Sequence, residues 1–368
     1  MNEDTIAALP KAELHCHIEG AASPALVRKL AERNGITLPD SMFVDEHRFA
    51  WTDFNSFLAA YDRACDAMRR AEDYRDLIYD YLGRCARQGA IYVELFSSPE
   101  HAEDIGLGFP AQLEALVAGI DAAERDFGIT GRLIAICLRH RGPERALWTA
   151  RTMLATRHPY VVGFGMAGDE LQHTPADFAP AFRLVADAGY PCTAHAGEVA
   201  GAESVRAALA ALPLSRVGHG VRASEDPRLL ETIARRGIVL EVCPGSNIAL
   251  GVYPDITSHP LRRLIDAGCK VTLNSDDPPY FDTSIGREYA MAAESFGLGE
   301  DDLLHITQTA IDAAFADAET RRRLTERIAQ YSQERGRPAR IKAKALLSPG
   351  MSGPEARAPG ETTGETSP

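Results

Sequence analysis

Hydrophobic and polar positions follow two alternating patterns along most of this chain. Short runs rich in apolar and β-branched residues are each followed by roughly 15 to 30 residues whose apolar positions recur with helical spacing. The strand-like runs are eight: 12–20, 90–98, 132–139, 161–168, 191–198, 216–221, 237–244 and 270–278. The helical stretches are 23–34, 51–68, 74–88, 111–127, 144–156, 175–188, 203–211, 227–236, 260–267, 287–295 and 300–331.

This alternation predicts an α/β fold. Strands separated by helices pair in parallel through right-handed crossovers, and eight of them close into a (β/α)8 TIM barrel with additional helices at its end. An open, doubly wound sheet is the alternative. We predict a single barrel domain over residues 1–347, followed by a disordered tail at 348–368, where Pro, Gly, Ser, Thr and Glu leave almost nothing apolar to bury.

Charge and cysteine content narrow the class of protein. The formal net charge of −13 argues against a nucleic-acid backbone or an anionic membrane surface as partner. The 7 cysteines show no paired C-x-x-C spacing, which fits reduced thiols. No basic and apolar leader opens the chain and no long apolar run follows, so we expect a soluble cytoplasmic protein. The sequence gives no indication of the oligomeric state.

Polar residues of catalytic type gather where the predicted strands end. The first run carries His15 and His17, two residues apart and therefore on one face of a strand. Later runs end in the segments H-A-G-E at 195–198, V-G-H-G at 217–220 and N-S-D-D-P at 274–278. Each segment alone is weak, because a strand-end histidine is often only hydrogen-bonded and Asp-Asp-Pro is often a turn. In a barrel, however, these ends share one face, where active sites lie.

Three imidazoles and one carboxylate of these segments could converge on a metal ion: His15, His17, His195 and Asp276. This mixed nitrogen and oxygen set favours Zn²⁺ over Mg²⁺ or Ca²⁺, and we expect one zinc ion per chain. Glu198, His219 and Asp277 remain as groups that could transfer protons in a hydrolysis by activated water.

The same segments resemble the motifs of the adenosine deaminase family of metal-dependent hydrolases. E-L-H-C-H-I-E-G at 13–20, M-A-G-D-E at 166–170 and the three segments above occur in the family's order, and V-C-P-G-S-N at 242–247 is similar as well. The resemblance covers about residues 9 to 330. It implies that a soluble enzyme of this type replaces the 6-amino group of a purine by an oxo group and releases ammonia.

The resemblance also implies a role for each residue. Zinc is held by His15, His17, His195 and Asp276; Glu198 donates a proton to purine N1; His219 deprotonates and orients the zinc water; and Asp277 holds the resulting hydroxide against C6. The backbone amide of Gly168 meets purine N3. The substrate-binding set is completed by Glu19, the apolar stripe Phe54, Phe57, Leu58 and Tyr61, and Leu138.

The resemblance implies that the substrate is a small purine nucleoside or base. M-A-G-D-E resembles nucleoside deaminases, whereas H-I-E-G and V-C-P-x-S-N also resemble adenine deaminases. Glu19 stands where many adenosine deaminases have an aspartate that binds the ribose, and Gly165 replaces an aspartate common in those enzymes. We predict adenosine and 2′-deoxyadenosine as substrates, with adenine or 6-aminodeoxyfutalosine as alternatives.

Two further hypotheses belong to other classes. A catalytically silent purine-binding protein could keep the barrel without turnover, although every expected ligand and acid/base group is present. A dinuclear amidohydrolase would need a bridging lysine or carboxylate at the end of strand four or five, and strand four ends without one.

Overall fold

The computed structural model describes Met1 and residues 3–335, and only the backbone at positions 3, 54 and 55. Its strands are short and almost entirely buried. They are β1 (Lys11–Glu13), β2 (Ala90–Ser97), β3 (Thr130–Leu138), β4 (Val161–Ala167), β5 (His195–Ala196), β6 (Arg216–His219), β7 (Val239–Val242) and β8 (Lys270–Leu273). Residues 336–368, which include the predicted tail and the end of the predicted domain, lie outside the described residues.

The strands form a closed parallel barrel. Hydrogen bonds order them as β1-β2-β3-β4 and β5-β6-β7-β8. Cys192 pairs with Phe164 on one side and Leu214 on the other, which joins the two halves beside β5. At the opposite seam, Cys16 pairs with Asp276. The predicted (β/α)8 barrel is therefore confirmed, and the open sheet is excluded because both seams are bridged.

Helices follow the strands as the periodicity predicts. They are α1 (Glu3–Ala8), α2 (Pro24–Asn34), α3 (Phe54–Cys65), α4 (Ala71–Arg87), α5 (Pro99–Asp104), α6 (Phe109–Phe127), α7 (Pro143–Ala155), α8 (Ala179–Asp187), α9 (Ala202–Ala211), α10 (Pro227–Arg236), α11 (Pro244–Ala249), α12 (Leu261–Asp266), α13 (Ile285–Phe296), α14 (Glu300–Ala313) and α15 (Ala318–Glu334). In the part of the chain that the structure describes, none of them has the length and apolarity needed to cross a membrane.

Helix α2 shows how local sequence sets the ends of a helix. The Ser23 hydroxyl accepts a hydrogen bond from the Leu26 amide at 3.2 Å, with Pro24 in the first helical position. Gly35 ends the helix in the left-handed conformation, with φ of 65°. Both ends were predicted from these residue types.

Three short helices, α1, α5 and α11, were not predicted, and the predicted helix 300–331 is two helices, α14 and α15. The short helices have 6 residues each, which is too few to show an amphipathic period. The chain breaks between α14 and α15 at residues 314–317, and Asp317 caps the second helix by accepting from the Thr320 amide at 2.9 Å.

The first strand is shorter than predicted. It ends at Glu13, so His15 and His17 lie beyond it. Their backbone remains tied to the barrel, because the His17 amide donates to the Asp276 carbonyl at 3.0 Å and the Asp276 amide donates to the His15 carbonyl at 3.1 Å. Strand β5 is likewise reduced to two residues.

An ion network fills the centre of the barrel below the site. Arg216 is 1 % exposed, and its guanidinium contacts Glu94 at 2.7 Å and Glu241 at 2.6 Å. The same guanidinium stacks on the Phe315 ring at 3.6 Å. Paired on both sides in this way, the buried charges are compensated, and Glu241 is fixed beneath the upper rim of the barrel.

Candidate active site

The strand ends bring the predicted polar residues together at one face of the barrel. The segment after β1, β5, the end of β6 and the segment after β8 each contribute side chains, and all of these side chains are buried. They are His15, His17, His195, Glu198, His219, Asp276 and Asp277. Residues that follow the first strand and residues that follow the last strand therefore share one site, as expected for a barrel whose strand ends meet at one face.

Four of these residues place ligand atoms near one another. The ligand atoms of His15, His195, His219 and Asp276 form one compact group, and those of His17, Asp276 and Asp277 form a second. His195 Nε2 lies 3.1 Å from His15 Nε2 and 3.3 Å from His17 Nε2. Asp276 Oδ1 lies 3.5 Å from His15 Nε2 and 3.3 Å from His17 Nε2. Three imidazoles and a carboxylate at these separations have the composition of a catalytic zinc site.

The outer nitrogens of two histidines explain why a cation suits this point. His15 Nδ1 lies 2.9 Å from Glu241 Oε2, and His195 Nδ1 lies 2.9 Å from the Met166 carbonyl oxygen. Each Nδ1 therefore carries a proton in the neutral ring, and the two Nε2 lone pairs face each other. Lone pairs this close repel unless a proton or a metal ion lies between them.

The pKa of His15 also indicates that this point favours a positive charge. Burial by itself lowers the pKa of His15, but hydrogen bonds to Asp276 and Glu241 outweigh burial and raise it to about 9. The site thus attracts positive charge, which a divalent metal ion would supply. His219 is also within reach of a metal bound by His15, His195 and Asp276. It is the weaker ligand candidate, since its Nε2 is 3.9 Å from Asp276 Oδ2.

Asp276 and His219 both have left-handed backbone conformations, with φ of 63° and 56°. Such values are uncommon outside glycine and are concentrated at functional sites. Asp276 is held there by the seam between β1 and β8, and its Oδ2 accepts a hydrogen bond from Ser246 at 2.7 Å. Ser246, on α11, was not predicted as a site residue; its only signal was the V-C-P-G-S-N segment.

A chain of hydrogen bonds fixes the proton on His219. The Leu261 amide donates to His259 Nδ1 at 3.2 Å, so His259 donates from Nε2 to Asn247 Oδ1, also at 3.2 Å. Asn247 Nδ2 then donates to His219 Nδ1 at 3.2 Å. In the neutral ring, which burial favours by lowering the pKa of His219 to about 3, the proton lies on Nε2.

His219 Nε2 faces Glu198 and Asp276 and has no hydrogen-bond partner among the described residues. Its distance to Glu198 Oε1 is 3.6 Å. Burial, together with the nearby carboxylates of Asp276 and Glu170, raises the pKa of Glu198 to about 8. Glu198 is thus suited to carry a proton at neutral pH.

Asp277 lies against the segment that follows β1. A Cβ atom added at Gly20 would lie 1.6 Å from Asp277 Oδ1 and 2.9 Å from the Tyr61 ring. Burial raises the pKa of Asp277, and the carboxylates of Asp276, Glu198 and Glu19 add to the effect. Only glycine at position 20 leaves room for Asp277 in this orientation.

Glu170 was also missed by the sequence analysis, although it belongs to the quoted M-A-G-D-E segment. Its buried carboxylate accepts backbone hydrogen bonds from four consecutive residues, 197–200, and a further one from the Ser204 hydroxyl. These residues form the loop that carries Glu198 and leads into α9.

A cavity of about 100 Å³ opens from the polar cluster. Of the predicted substrate-binding residues, Phe57, Leu58, Tyr61, Leu138 and Gly168 line it. The side chain of Phe54 lies outside the described residues. The lining residues that were not predicted are Asp62, His101, Ile136, His140, Ala167, Leu250 and Phe281.

Glu19 does not lie on the cavity wall. It is 2 % exposed, and its Oε1 is 3.5 Å from His101 Nδ1, so that His101 stands on the cavity wall instead. Gly168 follows β4 with φ of 97°, and a Cβ there would lie 2.6 Å from His140 Nδ1. The absence of a side chain at Gly168 is therefore required by both backbone and space.

A parallel barrel with a buried histidine and aspartate cluster at its strand ends is the structure of a metal-dependent hydrolase. A family model described as adenosine deaminase matches residues 10–331, and the chain belongs to this family. It is a hydrolase that acts on the C–N bond of a cyclic amidine.

Curated relatives that are similar to this chain over most of its length are adenine deaminases. The chain is 52 % identical to an adenine deaminase of Chelativorans sp. (strain BNC1) over 87 % of its own length and 98 % of the relative. An adenine deaminase of Agrobacterium fabrum (strain C58 / ATCC 33970) is 49 % identical with the same coverage.

Solved structures agree with the fold. The crystal structure of adenine deaminase from Arthrobacter aurescens is 30 % identical, with a TM-score of 0.81 over 89 % of this chain and 100 % of that one. A zinc-bound amidohydrolase from Burkholderia ambifaria is 29 % identical, with a TM-score of 0.81 over 90 % of this chain and 94 % of that one.

Proposed function

We propose that this enzyme deaminates adenine to hypoxanthine and ammonia. The observation that carries the proposal is the identity of 52 % to an adenine deaminase over 98 % of that relative's length. The sequence analysis predicted adenosine and 2′-deoxyadenosine as substrates; the relatives favour adenine, which was its alternative.

The position of Glu19 supports the same substrate. We had expected Glu19 to sense the ribose, as an aspartate does in adenosine deaminases. Its carboxylate instead contacts His101, and the wall of the cavity there consists of His101 and Tyr61. Glu19 is therefore not placed to bind a nucleoside hydroxyl in the cavity.

The metal would be held by His15, His17, His195 and Asp276, and we propose zinc because the donor set fits it and the Burkholderia ambifaria structure contains it. When bound, it supplies Lewis acidity that lowers the pKa of a water molecule from ~15.7 toward ~7. Glu241 and Met166 fix the donor nitrogens of His15 and His195 by taking the opposite ring protons.

Glu198 and Gly168 position the purine ring in this proposal. Glu198 donates its proton to N1, which makes C6 more electrophilic, and the Gly168 amide donates to N3. Both residues line the cavity, and they lie on neighbouring strand ends, after β4 and β5. The ring is thereby held with C6 toward the histidine and aspartate cluster.

His219 and Asp277 act on the attacking water. The hydrogen-bond chain through Asn247 leaves His219 a donor at Nε2, so we assign it to orienting the water rather than to deprotonating it. Asp277, which lines the same cavity, accepts the proton. Water adds to C6, and Asp277 passes the proton taken from the water to the 6-amino group, which leaves as ammonia. The C6 hydroxyl gives its remaining proton back to Glu198 as the 6-oxo product forms.

The test compares three substrates. Purified enzyme supplied with zinc is incubated separately with adenine, adenosine and 6-aminodeoxyfutalosine, and loss of aminopurine absorbance and release of ammonia are followed. We expect kcat/KM for adenine to exceed the other two by at least about 100-fold, since buried mismatches cost this much or more. Preference for adenosine or 6-aminodeoxyfutalosine would contradict the proposal. Binding of purines without turnover would indicate the catalytically silent protein instead.

A further inference from the structure

The loop 197–200 has an arrangement that the proposed reaction does not by itself explain. Four consecutive backbone amides point at one carboxylate, that of Glu170, which is 4 % exposed. Oε2 accepts from the amides of Glu198, Val199 and Ala200 at 3.1, 2.9 and 2.9 Å, and Oε1 accepts from the Gly197 amide. The Ser204 hydroxyl, in α9, donates to Oε1 as well.

This carboxylate supplies the hydrogen-bond acceptors that regular secondary structure would otherwise give the loop amides. Strand β5 ends at Ala196 and α9 begins at Ala202, so the amides between them have no ladder or helix partner. Without Glu170 the buried Glu198 amide would lose its acceptor, at a cost of roughly 1 to 3 kcal/mol for each such group. The conformation of the loop therefore depends on an acceptor supplied by another strand end.

Glu170 also belongs to the turn that carries Gly168. That turn is fixed independently, because Arg139 donates to the carbonyls of Gln172 and His173 at 2.7 and 2.8 Å. One carboxylate thus joins the loop that carries Glu198 to the turn that carries Gly168, the two groups assigned above to purine N1 and N3.

We propose that Glu170 is a positioning residue that fixes the separation between the Glu198 carboxyl and the Gly168 amide. This inference rests on the proposed function for the identity of the two ring atoms. Glu170 does not line the cavity, so it acts through the loop and not on the purine. A shift of about 1 Å in a reacting group can cost about 100-fold in rate. Arg222 also donates to the Gly197 and Val199 carbonyls, but the four amides of the loop have Glu170 as their acceptor.

The experiment combines kinetics with hydrogen exchange in Glu170→Gln and Glu170→Asp. In Glu170→Gln, one acceptor oxygen becomes an NH₂ group that faces N–H donors. We expect kcat for adenine to fall about 100-fold and KM to change by less than about threefold, because the defect lies in proton delivery. We also expect amides 197–200 to exchange faster. Glu170→Asp keeps both oxygens and should recover part of kcat.

Asp73→Asn is the matched control. Asp73 is also fully buried and accepts two backbone hydrogen bonds, from Arg69 and Arg70 at 2.9 Å each, but it lies at the start of α4 and away from the cavity. It should lower the melting temperature without a selective loss of kcat. An unchanged kcat in Glu170→Gln, or an equal loss of kcat in Asp73→Asn, would overturn the inference.

The outcome is separable from that of the proposed function. If the wild-type enzyme does not turn over adenine, the proposed function fails, and hydrogen exchange decides the role of Glu170 in ordering the loop. Unchanged exchange of amides 197–200 in Glu170→Gln overturns that role, and faster exchange confined to these amides supports it.

Discussion

Gly20 and Asp277 lie against each other, although they come from opposite ends of the barrel sequence. The backbone of Gly20 lies directly against Asp277 Oδ1, in the space that any side chain at position 20 would occupy. The last residue of the I-E-G sequence, Gly20, is therefore required for steric reasons. It keeps open the place of a carboxylate that takes part in the proposed reaction.

Replacing Gly20 by alanine tests this contact. In Gly20→Ala the new methyl group displaces Asp277, and we expect kcat to fall by at least about 100-fold. Gly299→Ala is the control, because a Cβ there meets only Asp302 Oδ2, at 3.6 Å. It should keep wild-type kinetics. The contact would lose its importance if Gly20→Ala were equally active.

Glu198 can be separated from the metal ligands by one substitution. Glu198→Gln keeps the shape of the side chain but has no acidic proton, so kcat should fall by about 10² to 10⁴-fold. Metal content, measured by elemental analysis of the purified variant, should stay at the wild-type level. Loss of metal in Glu198→Gln would mean that Glu198 had been mistaken for a catalytic acid and is a ligand.

The residues assigned to the proposed reaction could be predicted from the sequence, whereas most of the residues that hold them in place could not. His15, His17, His195, Glu198, His219, Asp276 and Asp277 stand at strand ends, where residue type and position both carry a signal. Glu170 and Asn247 act through backbone amides and ring tautomers. Their partners depend on three-dimensional contacts that no spacing in the chain reveals.

At the scale of elements, the strands that carry the site are the irregular ones. Strands β1 and β5 are shorter than the apolar runs that predicted them, since the backbone leaves the ladder where His15, His17 and Glu198 must turn inward. Helix α11 supplies Ser246 and Asn247 from only 6 residues. Helices such as α2 and α10 were predicted well because their apolar period and end residues are local properties.

Strand β7 supports the site from below through Glu241. Glu241 joins His15 at 2.9 Å to Arg216 at 2.6 Å, and the nearby Thr193 hydroxyl donates to it at 3.0 Å. In Glu241→Gln, the His15 ring loses its charged acceptor. We expect metal affinity, measured by competition with a chelator, to fall about 10 to 100-fold. An unchanged affinity would show that the orientation of His15 does not depend on β7.

At the scale of the whole molecule, the proposed metal ligands come from distant parts of the barrel. His15 and His17 follow the first strand, Asp276 follows the last, and His195 lies between them. A metal ion that binds only the folded chain stabilises the whole barrel by linkage, by about 4 kcal/mol when free metal exceeds its Kd a thousandfold. If the proposed site binds its metal, the site contributes to the stability of the fold.

Metal removal gives the corresponding prediction. Treatment with a chelator should lower the melting temperature of the wild-type protein by several degrees, and addition of zinc should restore it. His17→Ala should show a much smaller difference between the two conditions, because one ligand is absent. An equal shift in His17→Ala would place the stabilising ion elsewhere in the protein.

The seam between Cys16 and Asp276 also bears on how the protein is made. The hydrogen bond from the His17 amide to the Asp276 carbonyl cannot form until the last strand is in place, because its donor and acceptor come from opposite ends of the barrel sequence. A ribosome produces His15 and His17 early and Asp276 late. The first two proposed metal ligands are thus made long before the last, and complete metal binding would follow closure of the barrel rather than guide its first steps.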